Sequence, residues 1–198
     1  MRSLKFFVSA LLIVLLTYEI PSLASASPRL TPISDLDSKL PSTDGSIQSL
    51  ADYRGSVVLV HFFASWCGQC LLEAPSLERL YRSLKDDDFV VVGIAIDDTI
   101  PAARSLKERL NLSFPVLVDT ERALKRTFSV RGVPMSIILD SSGSIVSFDD
   151  PATGTRTTRI VGTRAWDSAA ARKSIRELLS PSVNADIALF GDSKAVAF

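Results

Sequence analysis

The sequence predicts one α/β domain, a central mixed β-sheet flanked by helices. Three observations carry this. Val57–Phe63 is a run of β-branched and aromatic residues that reads as a buried strand, and Phe89–Ile96 is a continuous apolar run, the pattern of a strand covered on both faces. Leu71 to Leu84 carries apolar side chains at helical spacing (Leu71, Leu72, Ala74, Leu77, Leu80, Tyr81, Leu84). Beyond them the order is helix, strand, helix, strand, which argues for βαβ units with a largely parallel centre.

The 198 residues, 46% of them hydrophobic, suit one domain of ordinary size plus a targeting segment. Lys and Arg number 22, as do Asp and Glu, so the formal net charge is zero. There is no basic run and no aromatic-interleaved basic patch, so nucleic-acid binding has no electrostatic footing.

Taken in order, the chain opens with a secretory signal over 1–26. Arg2 and Lys5 form its positive start, Phe6 to Leu16 its apolar stretch, and Ala24-Ser25-Ala26 a small-x-small cleavage site. The apolar run stops at Thr17-Tyr18-Glu19, short of the ~20 residues of a membrane span. Cleavage is expected, with an uncleaved anchor as the alternative. Residues 27–35 form a Ser- and Pro-containing linker, and 36–180 the domain. Leu36 to Leu50 reads as a hairpin turning at Asp44-Gly45, followed by a helical turn that stops at Gly55.

Pro75 lies inside the first helix and must bend it. Asp86-Asp87-Asp88 is a solvated turn. Pro101 to Leu110 is a helix, Phe114 to Asp119 a short strand and Glu121 to Phe128 a short helix. Val130 to Pro134 leads into the strand Met135 to Asp140. Ser141-Ser142-Gly143 then turns the chain into Ser144 to Phe148. Asp149 to Thr158 is expected to be an extended loop. A last helix, Ser168 to Leu179, is capped by Asp167 or Ser168, with Trp166 as a packing residue. Residues 181–198 are expected to be a mobile tail.

The only two cysteines fall where the first strand hands over to its helix, in Trp66-Cys67-Gly68-Gln69-Cys70. A cysteine attacks as its thiolate, whose ordinary pKa is ~8.5. Unpaired N–H groups and the positive end of the dipole at a helix start favour an anion there. Cys67 is therefore expected to be the acidified, attacking sulfur. Cys70, one turn on and more buried, is expected to resolve the mixed disulfide. Trp66 is expected to shield one side of the pair, and Gly68 to let a partner chain approach closely.

Two blander readings compete. A structural disulfide closing a loop of about four residues would stabilise the fold by only roughly 2 kcal/mol. A structural zinc site wants four ligands, and two cysteines with one histidine do not supply them. Haem attachment needs a histidine directly after the second cysteine, and Leu71 stands there. Redox exchange fits the pattern best, with no metal.

Phe63-Ala64-Ser65-Trp66-Cys67-Gly68-Gln69-Cys70, the downstream Glu73-Ala74-Pro75 and Gly132-Val133-Pro134 resemble the thioredoxin superfamily. Within it, they are most similar to the TlpA/ResA-like, DsbE/CcmG-related periplasmic thiol-disulfide oxidoreductases. The resemblance runs from about Leu36 to Leu179. It implies a thioredoxin-like fold with an N-terminal β-hairpin and a βα insertion. It also implies a cis Val133-Pro134 bond facing the disulfide, with the Val133 backbone offered to a partner strand.

Glu73 matches an acid of the ResA type, with the role of exchanging a proton with a cysteine; the competing reading is a plain surface or first-turn acid. His61 lies six residues before Cys67, where thioredoxin has its buried acid. An imidazole titrating near ~6.5 would relay the proton of Cys70, and its charged form would favour a thiolate; the competing reading is a packed histidine satisfied by hydrogen bonds. Gln69 replaces the proline of many relatives, and Met135 the acid or threonine that others carry after the cis-proline.

The resemblance implies exchange with client thiols and disulfides, supplied by a membrane thiol donor or acceptor. The clients would be apocytochrome c or the copper-site cysteines of oxidase assembly factors. It implies no cofactor beyond the redox-active disulfide, a periplasmic location, and a monomer. The rival function is Cu(I) handling by Cys67, Cys70 and Met135, all soft donors.

Overall fold

A computed structural model describes residues 36–96 and 99–180. The expected signal over 1–26, the linker over 27–35 and the tail over 181–198 lie outside the described residues. Among the described residues, no helix is long and apolar enough to cross a membrane.

The chain opens with a small antiparallel hairpin, β1 (Leu40–Pro41) and β2 (Ile47–Gln48). Its turn is at Asp44-Gly45. Gly45 has φ +96°, a left-handed conformation that glycine adopts without strain. Asp44 accepts from the Ser46 amide at 2.9 Å and stiffens the same turn. A 3-10 turn, Leu50–Tyr53, follows, and Gly55 (φ +98°) ends it as expected.

Strand β3 (Val57–Phe63) leads into α1 (Gly68–Leu84), then β4 (Phe89–Ile96), α2 (Ile100–Arg109), β5 (Val116–Asp119) and α3 (Ala123–Thr127). Next come β6 (Met135–Leu139), β7 (Ile145–Val146), β8 (Phe148–Asp149), β9 (Arg156–Thr157), β10 (Ile160–Val161) and α4 (Ala169–Leu179). The main sheet has the order β10-β6-β3-β4-β5, with β7 also on β6. Strands β3, β4 and β5 are parallel, while β6 runs antiparallel to β3 and β10 antiparallel to β6. The sheet is thus mixed, as the sequence predicts.

Every residue of β3 is buried, because this central strand has a neighbour on each side and is covered on both faces. That accounts for its almost wholly apolar sequence, with His61 the one polar side chain. The far edge of β5 is covered by the N-terminal hairpin: Ser42 bridges Leu117, and the Thr43 amide donates to Val116 at 3.0 Å. This blunts an edge that would otherwise be open to another chain.

One expectation is corrected. Asp149 to Thr158 is not a plain loop, because β8 and β9 pair there as an antiparallel hairpin. Strands of two residues carry no periodicity to read. Asp150 closes the hairpin by accepting the Gly154 amide at 2.8 Å, and Ser174 of α4 holds Asp149 through both backbone groups at 3.1 Å. Helix α4 starts as expected: the Ser168 side chain accepts the Ala171 amide at 3.1 Å.

Candidate functional site

Cys67 and Cys70 form a disulfide with a Cα–Cα distance of 5.3 Å. Cys67 is the N-cap of α1, and its Sγ accepts the backbone N–H of Cys70 at 3.2 Å. The same amide would stabilise a Cys67 thiolate once the bond opens, since a hydrogen bond to the charged form favours it. Cys67 is 7% and Cys70 2% exposed. This is the expected ranking, with the N-terminal sulfur nearer the surface. The chain around Cys67 is open: Gly68 and Gln69 are exposed, and a side chain at Gly68 would meet nothing within 4 Å. Trp66, expected to shield the pair, is 66% exposed and turns its ring to solvent, and Leu72 is 75% exposed.

The Val133-Pro134 bond is cis. It brings the Val133 carbonyl to 3.7 Å from Cys67 Sγ. Pro134 is buried, and its carbonyl accepts the Gly162 amide at 2.9 Å. Met135, the third soft donor of the Cu(I) reading, is 1% exposed and the two sulfurs are bonded to each other, so that reading gains no support.

Beneath the disulfide lie two buried ionisable side chains. His61 stands in the middle of β3, level with Gly93 of β4 and Ser136 of β6. Its Nδ1 is 3.0 Å from Ser136 Oγ, and its ring stacks on Phe63 with centroids 6.1 Å apart. His61 and Cys70 line a common cavity of about 10 Å³ with Phe63, Ala74, Leu106, Leu112 and Phe114. Glu73 lies three residues after Cys70, on the same face of α1.

Glu73 Oε1 accepts the Arg164 amide at 3.0 Å and the Trp166 indole N–H. Its Oε2 lies 4.0 Å from His61 Nε2, and neither of these two atoms has a hydrogen-bond partner.

Burial sets both charges. It pushes the Glu73 carboxyl up to about 7, against the opposing pull of its Trp166 and Arg164 hydrogen bonds. It pushes the His61 imidazole down to about 3. The expectation that His61 titrates near neutrality and helps as a cation is therefore corrected: an imidazole inside a central strand stays neutral. What it retains is a choice of tautomer. With Nδ1–H donating to Ser136, Nε2 presents a lone pair to a protonated Glu73. With Ser136 donating to Nδ1, Nε2–H faces an ionised Glu73. The pair accommodates either state of the carboxyl after a closing movement of about 1 Å to hydrogen-bond distance.

Sequence reasoning missed Trp166 as part of this site. It is fully buried, as expected of a packing residue, but its N–H holds Glu73 from 93 positions away. The available signal was chemical: a buried indole N–H usually has an acceptor.

Among known proteins, the chain is 27% identical over 103 residues to the thiol-disulfide oxidoreductase ResA of Bacillus thuringiensis subsp. konkukian (strain 97-27), spanning 52% of this chain and 60% of that one. It is 25% identical over 122 residues to the protein of the same name from Bacillus subtilis (strain 168), spanning 62% and 66%. The chain thus spans about three fifths of the length of the curated relatives it matches. Its fold matches the crystal structure of a thiol:disulfide interchange protein, thioredoxin family protein, from Chlorobium tepidum TLS, with a TM-score of 0.62 and 25% identity, covering 76% of this chain and 99% of that one. The profile of the AhpC/TSA family matches residues 35–148, more than half of the sequence, and on this thioredoxin-like fold the chain belongs to that family.

Proposed function

We propose that the chain is a protein thiol-disulfide oxidoreductase that exchanges the Cys67–Cys70 pair with client proteins. The observation that carries this reading is the Cys67–Cys70 disulfide at the start of α1, with the Cys70 amide aimed at Cys67 Sγ. The names of the matched relatives, thiol-disulfide oxidoreductase ResA, support it.

In the reducing direction, the Cys67 thiolate attacks a client disulfide. An S–S bond forms to the client, and the second client sulfur leaves as a thiolate that takes a proton from solvent. Cys70 then gives its proton to Glu73 and attacks Cys67 Sγ. The protein disulfide closes, and the first client sulfur leaves and is protonated in turn. One client disulfide is reduced and one protein dithiol oxidised, with no organic cofactor. An external thiol donor at the membrane resets the pair. Trp66, Gly68, Gln69 and the Val133-Pro134 backbone form the surface against which a client strand lies.

The work is that of a periplasmic reductase, with clients among apocytochromes c or the copper-site cysteines of oxidase assembly factors. The signal-like segment over 1–26 supports that location. Oxidation of client thiols would use the same atoms in reverse. Redox titration of the pair against glutathione decides the direction. A potential near ~−270 mV matches reductase duty, while one near ~−120 mV overturns it in favour of oxidation.

A further inference from the structure

Glu73 is held by one oxygen. Both donors on Oε1, the Arg164 amide and the Trp166 indole N–H, come from the segment between β10 and α4. That segment is itself anchored on two sides. The Trp166 amide donates to Ser76 Oγ at 3.2 Å, and the same hydroxyl lies 2.8 Å from the Glu73 carbonyl. On the other side, the Arg164 guanidinium forms two hydrogen bonds with Asp150, at 2.7 and 2.6 Å. A carboxyl oxygen that already accepts two N–H bonds has no lone pair free for a proton. Any proton on Glu73 therefore belongs to Oε2, the atom facing His61 Nε2 at 4.0 Å.

We propose that Trp166 is a positioning residue of the redox centre: with the Arg164 amide it fixes Oε1 of Glu73 as an acceptor, so that the transferable proton is carried on Oε2, toward His61 and the helix face of Cys70. The proposal rests on the reading of Glu73 as the proton partner of Cys70. The indole works by aiming another group and touches no client. Without it the carboxyl can turn, and its proton can be carried on the wrong side.

The ionisable groups around Glu73 are His61 from β3 and Arg164 from the segment after β10, with Cys70 one turn back on its own helix. Arg164 stays paired with Asp150, whose carboxyl it holds down at about 2. His61 stays neutral above about 3. In the oxidised protein the cysteines do not titrate, and the carboxyl signal that disappears in Glu73→Gln reports Glu73.

The test is a ¹³C NMR titration of the Glu73 carboxyl in the oxidised full chain, assigned with Glu73→Gln. It is paired with pH profiles of dithiol exchange using glutathione disulfide as probe. Trp166→Phe keeps an aromatic ring and removes the donor. Because the N–H favours the carboxylate, its loss is expected to move the Glu73 midpoint upward by about one pH unit, and the exchange profile with it. A folded Trp166→Phe whose midpoint and profile both stay in place overturns the proposal. If exchange in Glu73→Gln keeps the wild-type profile, the reading of Glu73 as proton partner fails, which is a separate result. Should Trp166→Phe not fold, the benzothiophene analogue of tryptophan at position 166 removes the N–H at nearly constant volume and is judged by the same shift.

Discussion

His61 Nε2 and Glu73 Oε2 face each other across 4.0 Å, each buried and each without a hydrogen-bond partner. An ion pair at this distance would have to offset the desolvation of two charges, and burial favours the neutral form of each. The pair is therefore a neutral imidazole beside a carboxyl close to half-protonated at neutral pH. In that condition the carboxyl can take up or release a proton near neutral pH while the imidazole beside it stays neutral and changes only its tautomer.

The first prediction concerns stability. Glu73 rises from 4.5 to about 7 on folding, so the folded protein binds this proton more tightly than the unfolded chain. Its contribution is fully present below pH 4.5 and is lost as pH rises through 7. Glu73→Gln removes the loss. Urea unfolding of the oxidised proteins should show the variant gaining on wild type between pH 4.5 and 8, by on the order of 3 kcal/mol. A difference that is the same at both ends contradicts the burial account.

His61 gives the opposite slope. Its pKa falls from 6.5 to about 3 on folding. Its contribution is present above pH 6.5 and is lost as pH falls toward 3, because the unfolded chain takes up the proton first. His61→Leu should therefore lose less stability than wild type between pH 6.5 and 4. His61→Ala should also shift the pH dependence of disulfide exchange, through the change at Glu73 Oε2. An unchanged exchange profile removes His61 from the mechanism.

Gly93 lies level with His61 on the neighbouring strand. A Cβ there would stand 3.0 Å from Phe63 Cε1 and 3.2 Å from Phe114 Cε2, two rings that line the cavity shared by His61 and Cys70. Gly93→Ala should cost about 1–3 kcal/mol by overpacking, read by urea unfolding at pH 7. A cost below about 0.5 kcal/mol means the rings give way freely.

The order of attack makes a further prediction. Cys70→Ser leaves the attacking sulfur without its resolver and should accumulate a mixed disulfide with a disulfide-bearing peptide. Cys67→Ser should accumulate none. Mass spectrometry of the non-reduced products distinguishes them, and trapping through Cys70 instead would reverse the two roles.

Much of this centre is legible from the residues in order. The stretch Val57–Phe63 reads as a buried strand because it is made of β-branched, aliphatic and aromatic residues around His61. The cysteines then fall at the start of α1, whatever else the chain does. Asp44-Gly45 announces the hairpin by its turn chemistry. The β8–β9 hairpin is not legible, since two-residue strands have no period and the interactions fixing them come from Ser174 and Arg164. The partnership of Trp166 with Glu73 is hidden for the same reason: 93 positions separate them, and only the completed sheet brings the segment after β10 against α1. The neutrality of His61 follows from burial, which the strand pattern contains, yet the histidine's ordinary pKa pulls the reading toward a charged role.

The central claim is that Cys67, at the head of α1, is the reactive thiolate. Alkylation of the reduced full chain by iodoacetamide, followed site by site against pH, tests it most directly. The account predicts modification at Cys67 first, with a midpoint at least one unit below the ~8.5 of an ordinary thiol. A midpoint at or above ~8.5, or faster modification of Cys70, would contradict it.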